Sequence, residues 1–298
     1  MSDPRAPIFI GGLSYSGKTQ LRMVLGAHPD FSMTRRTSMW DRFHGRFGDL
    51  SDPGNFERCL SAMLADEGVR QLEPDPDRIR AEFLSGPTTY ARLFGLLHRH
   101  HADRAGKRRW GDQLGFVERF ADPIFAAFAS ARLVHMVRDP RARYGVRRAR
   151  GGRAPGAVGW ETAKWLRSAE LAERNRRRYP GRYLVVRYED LAARPLHTVR
   201  RVCAFLGERC VSSMEQAIRT LRFDAEDWAS GGDSRALAEV AFVDRYAGPR
   251  LRSLDYGPER IPPRHRFSFA FLDWTLNRAA MAAWRFLESG RSTATEVR

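Results

Sequence analysis

The sequence predicts an α/β fold, a three-layer sandwich in which helices flank a central parallel sheet. Two observations carry that expectation. Apolar runs of strand length alternate with segments of helical spacing, and the first such run opens into a glycine-rich turn with a helix behind it. Ligands of such a sheet gather at the carboxyl ends of its strands, where the chemistry-bearing residues of this chain also fall.

In chain order, residues 8–10 form the first strand and residues 11–16 the turn; Leu21, Val24 and Leu25 then give a helical face that stops at His28-Pro29. Residues 31–33 supply the second strand. Residues 34–50 mix aromatics with Arg, Gly and Asp without a period, as surface excursions over a site do. Residues 54–68 and 87–104 carry helical spacing on either side of a loop at 73–77. Residues 109–112 are a third strand leading into a helix over 116–129, residues 133–137 a fourth, and residues 183–187 a fifth ahead of a helix over 198–206. Before that fifth strand lie the Gly/Pro-rich loop 151–156, readable as a lid or as a plain connector, and a long helix ending at Arg178. No internal repeat is present. Residues 267–287 are apolar but interrupted by Asp273, Arg278 and Arg285, an amphipathic helix expected to pack on the domain or on a dimer partner. The expected organisation is one α/β domain over residues 1–258 and a helical C-terminal extension over 259–298.

The 298 residues are 43% hydrophobic, enough for a sizeable core, and carry a formal charge of +16. That charge suits a polyanionic ligand, an acidic acceptor, nucleic acid or an anionic membrane surface, and does not choose among them. Three scattered cysteines fit a reducing compartment and no metal knuckle. Without a secretory signal pattern or an uncharged apolar run of spanning length, the expected location is the cytoplasm. Only three of the 51 basic residues are lysine, so Lys18 marks a position that wants a slender point charge instead of a planar fork.

Lys18 lies in Gly12-Leu13-Ser14-Tyr15-Ser16-Gly17-Lys18-Thr19, which matches G-x-x-x-x-G-K-[ST]. After a strand and before a helix, this is a phosphate-binding loop: successive backbone amides and a helix N-terminus face an anion, Gly17 permits close approach, and Lys18 and Thr19 add a charge and a hydroxyl. A nucleotide kinase built on such a loop needs an acidic residue on a neighbouring strand for Mg²⁺. The fourth strand instead runs into Arg138-Asp139-Pro140, the fifth into Tyr188-Glu189-Asp190, and the second into Thr34-Arg35-Arg36. The site is therefore expected to hold anions without a metal.

Three segments together resemble the sulfotransferases that use 3′-phosphoadenosine 5′-phosphosulfate (PAPS). Residues 8–29, IFIGGLSYSGKTQLRMVLGAHP, resemble their 5′-phosphosulfate segment; residues 133–150, LVHMVRDPRARYGVRRAR, their 3′-phosphate segment; residues 183–207, YLVVRYEDLAARPLHTVRRVCAFLG, the strand, Tyr-Glu-Asp turn and helix that follow. The matches keep the family's order over about two thirds of the chain. The resemblance implies a P-loop-like fold and transfer of a sulfuryl group from PAPS to a hydroxyl or amine of a small-molecule or glycan acceptor. It implies that Ser16, Gly17, Lys18, Thr19 and Gln20 wrap the 5′-phosphosulfate, that Arg138 holds the 3′-phosphate and that Tyr188 contacts adenine. Departures accompany it. Tyr15 stands where many relatives have a basic residue, Lys18 where they have Thr, Val146 where a serine binds the 3′-phosphate, and Gln113 where a lysine is expected; Arg141, Arg143 and Gly145 are candidates to compensate at that phosphate.

Sulfuryl transfer resembles phosphoryl transfer, so Lys18 is the candidate for stabilising charge on the leaving phosphate. An attacking hydroxyl also needs a base. Asp112, after the third strand, is the preferred candidate, with Asp41 and His44 as alternatives; Asp112 could equally pair with Arg108 or Arg109. The run His98-Arg99-His100-His101 spreads its rings over different helix faces and is not read as a metal site. The arginine clusters at 147–150 and 174–178 lack interleaved aromatics and are read as solvated or acceptor-facing, not as a nucleic-acid surface. The rival readings are an ATP- or GTP-dependent kinase and a non-catalytic nucleotide or acidic-ligand binding protein. Acceptor and oligomeric state are left open, with a homodimer among the choices.

Overall fold

The computed structural model describes residues 6–149, 154–223, 234–257 and 271–296. Five strands, β1 (Ile8–Gly11), β2 (Phe31–Thr34), β3 (Arg109–Gln113), β4 (Arg132–Val137) and β5 (Tyr183–Arg187), form one sheet in the order β2-β3-β1-β4-β5. β1 runs parallel to both β3 and β4, and β2 parallel to β3. The expected α/β sandwich is present.

The strands are apolar on both faces because helices cover both. Ile8 and Ile10 pack with Val134 and Met136 on one side, while Phe9 packs with Trp110 and Leu133 on the other, the alternation that a two-residue period dictates. Chain order sets where a ligand fits. β1 leads to β2 on one side, but β3 crosses over to β4 on the other, so the carboxyl end of β1 stands at a switch point of the sheet.

The helices depart from the sequence reading in instructive places. The loop at 73–77 is only half a loop, since Pro76 opens the helix Pro76–Leu84 and Asp75 caps it, its Oδ1 accepting from the Asp77 and Arg78 amides at 3.1 Å. The helix expected over 54–68 stops at Ala65, where Asp66 caps the short helix Glu67–Arg70. The helix expected over 116–129 is a 3₁₀ turn, Val117–Phe120, followed by Ala121–Ala127. The irregular stretch 34–50 contains one turn of helix, Met39–Arg42. Of the loop 151–156, residues 151–153 lie outside the described residues.

The chain divides into two compact units. The first comprises Met1–Gly12, Gly17–Met136 and Arg174–Phe223; the second comprises Leu13–Ser16, Val137–Glu173 and Asp224–Arg298. Within the second, the C-terminal helix Phe271–Glu296 buries Asn277, Met281 and Trp284, spaced as one helical face, and sets Trp274 against Phe242 at 5.0 Å. Asn277 Oδ1 accepts the Gly159 amide of the helix Ala157–Arg178 at 3.0 Å. A Cβ at Gly159 would stand 2.8 Å from Asn277 Cα and overlap its carbonyl group. No described helix is long and apolar enough to cross a membrane.

Candidate functional site

β1 ends at Gly11, and the helix Lys18–Gly26 begins at Gly17, which adopts φ 85° and ψ 8°. No side chain caps this helix and its first turn carries no acid. Its N-terminal amides and the positive end of its dipole are thus met by neither a capping side chain nor a first-turn carboxylate, the condition that favours a phosphate or sulfate group at such an end. Within the turn, Gly12 takes φ 110° and Tyr15 φ 66°. Tyr15 is thus a non-glycine residue held in the left-handed region, where strain concentrates at ligand clamps.

In the first unit, Lys18 is nearly buried, and its ammonium donates to the Gly12 carbonyl and to the Leu114 carbonyl at 3.2 Å. Its charge therefore lies against the neck of the loop. Thr19 is exposed and Gln20 half-buried. Gln113, where a lysine was expected, donates to Thr19 Oγ1 at 3.3 Å and accepts from Arg22 Nε at 3.2 Å. A cation thus stands beside position 113 after all. Arg22 was missed by sequence reasoning, although it follows Lys18 by four residues and shares its helix face. Tyr188, at the start of the helix Tyr188–Ala193, is buried with its ring against Gly17, so close that a Cβ there would overlap Cδ2 and stand 3.0 Å from Cε2.

Asp112 is fully buried at the end of β3, in register with Phe9 of β1. One carboxylate oxygen accepts from Thr34 Oγ1 at 3.2 Å; the other accepts from Thr37 Oγ1 and lies 3.5 Å from His98 Nε2. The arginines considered as its partners are engaged elsewhere, Arg108 with Asp30 and Arg109 with Glu208 at 3.2 Å. His98 stacks on Trp110, while His100 meets Glu82 at 3.1 Å, so the neighbouring histidines do diverge. Among the described residues no His, Cys, Asp or Glu cluster could hold a metal ion. His44 is half-buried among Trp40, Tyr90 and Phe120, at ring distances of 4.8, 5.1 and 5.9 Å. Burial lowers its pKa and so favours the neutral imidazole. Asp41 is exposed. Glu118 was also missed: it is fully buried and accepts the Gly12 amide at 2.9 Å.

In the second unit, Ser16 is buried and donates to the Leu13 carbonyl at 2.8 Å. Arg138 is nearly buried; its Nη1 donates to the Tyr15 carbonyl at 3.2 Å and its own carbonyl accepts from Trp165 Nε1 at 2.9 Å. Arg141 is committed to Asp139, to Asp244 at 2.8 Å and to the Gly257 carbonyl at 2.8 Å. Arg143 is buried against Glu161 at 2.8 Å, which also meets Arg147 at 3.1 Å and Lys164 at 3.3 Å. Burial by itself would raise the Glu161 carboxyl; Arg143, Lys164 and Arg147 outweigh it and hold the group below its usual range. Val146 is buried and offers no polar atom where the serine was expected.

Residues 7–212 match the family described as "Sulfotransferase family". Human carbohydrate sulfotransferase 5 is 33% identical over 111 residues, covering 30% of this chain and 27% of that protein. The chain thus spans about a quarter of the length of the curated relative it matches. The sulfotransferase domain from the curacin biosynthetic pathway has the same fold, with a TM-score of 0.53 at 16% identity over 86% of this chain and 99% of that one. Mouse sulfotransferase SULT7A1, complexed with PAP, gives a TM-score of 0.50 at 12% identity over 85% of this chain and 89% of its own.

Proposed function

The chain belongs to the sulfotransferase family and is an enzyme, and from that premise we propose that it moves a sulfuryl group from PAPS to a hydroxyl or amine of a small-molecule or glycan acceptor. The observation that carries the donor half is the helix Lys18–Gly26, which starts uncapped and free of acid directly behind a glycine-rich turn. That arrangement suits the phosphosulfate end of a nucleotide. PAP in the mouse sulfotransferase supports the choice of nucleotide, and the human carbohydrate sulfotransferase supports a glycan among the acceptors.

In this reading PAPS is the donor substrate, and Ser16, Gly17, Lys18, Thr19 and Gln20 receive its 5′ end. Lys18 supplies positive charge where negative charge develops on the departing nucleotide, inside a buried setting that strengthens the effect. Arg138 takes the 3′-phosphate through a charge-assisted bond. Tyr188 packs beside the loop at Gly17 and is read as the adenine neighbour. Arg141 and Arg143 both have donors committed to carboxylates and a carbonyl, Arg143 to Glu161, so Arg138 carries the 3′-phosphate contact in this reading. No step requires a metal.

His44 is our choice of base. Its neutral ring keeps a lone pair for the acceptor's proton, whereas both Asp112 oxygens already accept, one from Thr34 and the other from Thr37. Asp112 is better read as the group that fixes the chain at Thr37, just before the segment carrying Asp41 and His44. The test compares binding of 3′,5′-bisphosphoadenosine, Mg·ATP and Mg·GTP. Metal-free binding of the bisphosphate, lost in Arg138→Ala, supports the proposal; a Mg²⁺ requirement with preference for a triphosphate overturns it.

A further inference from the structure

Gly12, at the neck of the turn, is held at both of its backbone polar groups. Its amide donates to Glu118 Oε2 at 2.9 Å and its carbonyl accepts from Lys18 Nζ. The other Glu118 oxygen lies 3.4 Å from His135 Nε2, and His135 Nδ1 lies 2.7 Å from the Tyr183 hydroxyl. Asn175 Nδ2 anchors the Glu118 main-chain carbonyl at 2.8 Å. Four distant parts of the chain, from β4, β5, the 3₁₀ turn and the long helix, thus converge below one glycine.

The protonation pattern follows from burial. Desolvation lowers the His135 pKa against the pull of Glu118, so the ring is neutral, and desolvation likewise holds the Tyr183 proton in place. Tyr183 then donates to Nδ1, and the Nε2 hydrogen faces Glu118. A carboxylate below an anion site would ordinarily repel its ligand. Here Lys18 holds the carbonyl of the same residue and balances it. Only an all-acceptor group can receive both the Gly12 amide and the imidazole hydrogen, and a carboxylate does so with a charge-assisted bond.

We propose that Glu118 is a positioning residue for the phosphate loop: it fixes the Gly11–Gly12 peptide at the entrance to the turn, and with it the direction in which the following amides face the donor. This rests on reading the loop as the donor site. Its test uses the full chain with Glu118→Leu and Glu118→Gln, and three readouts: the Kd of 3′,5′-bisphosphoadenosine, hydrogen exchange at the Gly12 amide, and the His135 tautomer from its ring ¹⁵N shifts. Glu118→Leu leaves the amide unpaired, so Gly12 exchanges faster and the bisphosphate binds about ten- to a hundredfold more weakly, the loss expected for one hydrogen bond to a charged group. Glu118→Gln can still accept from Gly12 if its NH₂ turns to His135. Binding then stays within about threefold of the parent, and His135 switches from the Nε2–H to the Nδ1–H tautomer, donating to Tyr183.

A merely structural role would lower thermal stability in both variants without moving the tautomer. Folded Glu118→Leu with parental affinity and parental Gly12 exchange overturns the proposal. Should that variant not fold, Glu118→Gln decides: protection of Gly12 with the tautomer switched supports it, and loss of protection with the tautomer unchanged overturns it. A parent chain that fails to bind the bisphosphate refutes the donor reading instead, and Gly12 exchange with the His135 tautomer still decides the role of Glu118.

Discussion

Replacing Gly17 by alanine sets two separate costs against the native loop. The backbone there has φ 85°, a conformation that charges an L-residue about 1–2 kcal/mol. The added methyl would also stand 3.0 Å from Tyr188 Cε2 and overlap Cδ2, and relieving such overpacking takes about 1–3 kcal/mol. Together these come to roughly 2–5 kcal/mol, a large part of the ~5–15 kcal/mol that holds a typical domain folded. If the loop yields instead of unfolding, the cost appears as lost ligand affinity, because Gly17 supplies the helix N-terminus. The assay is therefore a pair of measurements, urea unfolding and bisphosphate binding, on Gly17→Ala, Tyr188→Ala and the double variant. In the Tyr188→Ala background the contact is gone and only the backbone cost of about 1–2 kcal/mol remains, leaving a coupling energy of about 1–3 kcal/mol between the two sites. A Gly17→Ala chain with parental midpoint and affinity, or a cycle with no coupling, would refute the reasoning.

Lys18→Ala is expected to lower kcat about a hundredfold or more while the chain stays folded, measured by transfer from PAPS to a phenolic or glycan acceptor; near-parental turnover removes Lys18 from the chemistry. His44→Asn is expected to lower kcat about 10²- to 10⁴-fold and to abolish the acid limb of the kcat/KM profile. In the parent that limb should fall below the usual imidazole value of about 6.5, because burial lowers the pKa and keeps the base unprotonated to lower pH. His135 bears on stability. Its folded pKa is depressed, so its contribution is complete above about 6.5 and is lost as pH falls toward the folded value, where the unfolded chain binds a proton that the native chain does not. Unfolding free energy measured across that window should rise with pH, and less steeply in His135→Gln.

The strands and the glycine-rich turn were legible because each is a local pattern. Ile8, Phe9 and Ile10 announce a buried strand by composition, and Gly17 and Lys18 announce the turn by spacing. The helix at Pro76 was read as loop because Asp75-Pro76-Asp77 has the residues of a breaker, yet the same residues at a helix start are a cap and a first-turn proline. Arg22 and Glu118 escaped for a different reason. A glutamate in Phe116-Val117-Glu118 looks solvated until β1 and β4 bring the Gly12 amide and His135 to it, and no local pattern encodes that meeting. Asp112 was visible as a carboxylate after a strand, but its engagement by Thr34 and Thr37 depends on β2 lying beside β3.

The crossing of Gly159 and Asn277 makes the C-terminal helix something other than an appendage laid on a surface. Gly159 brings main chain against main chain, Gly156 leaves room one turn before it for Leu276 and Ala280, and a side-chain amide crosses the gap, so the two rods meet in register, like a bolt that closes only where its notch falls. Phe286 and Leu287, facing outward on the same rod, are free to vary in a way that position 159 is not. Side chains withheld at positions 156 and 159 decide where the last helix docks.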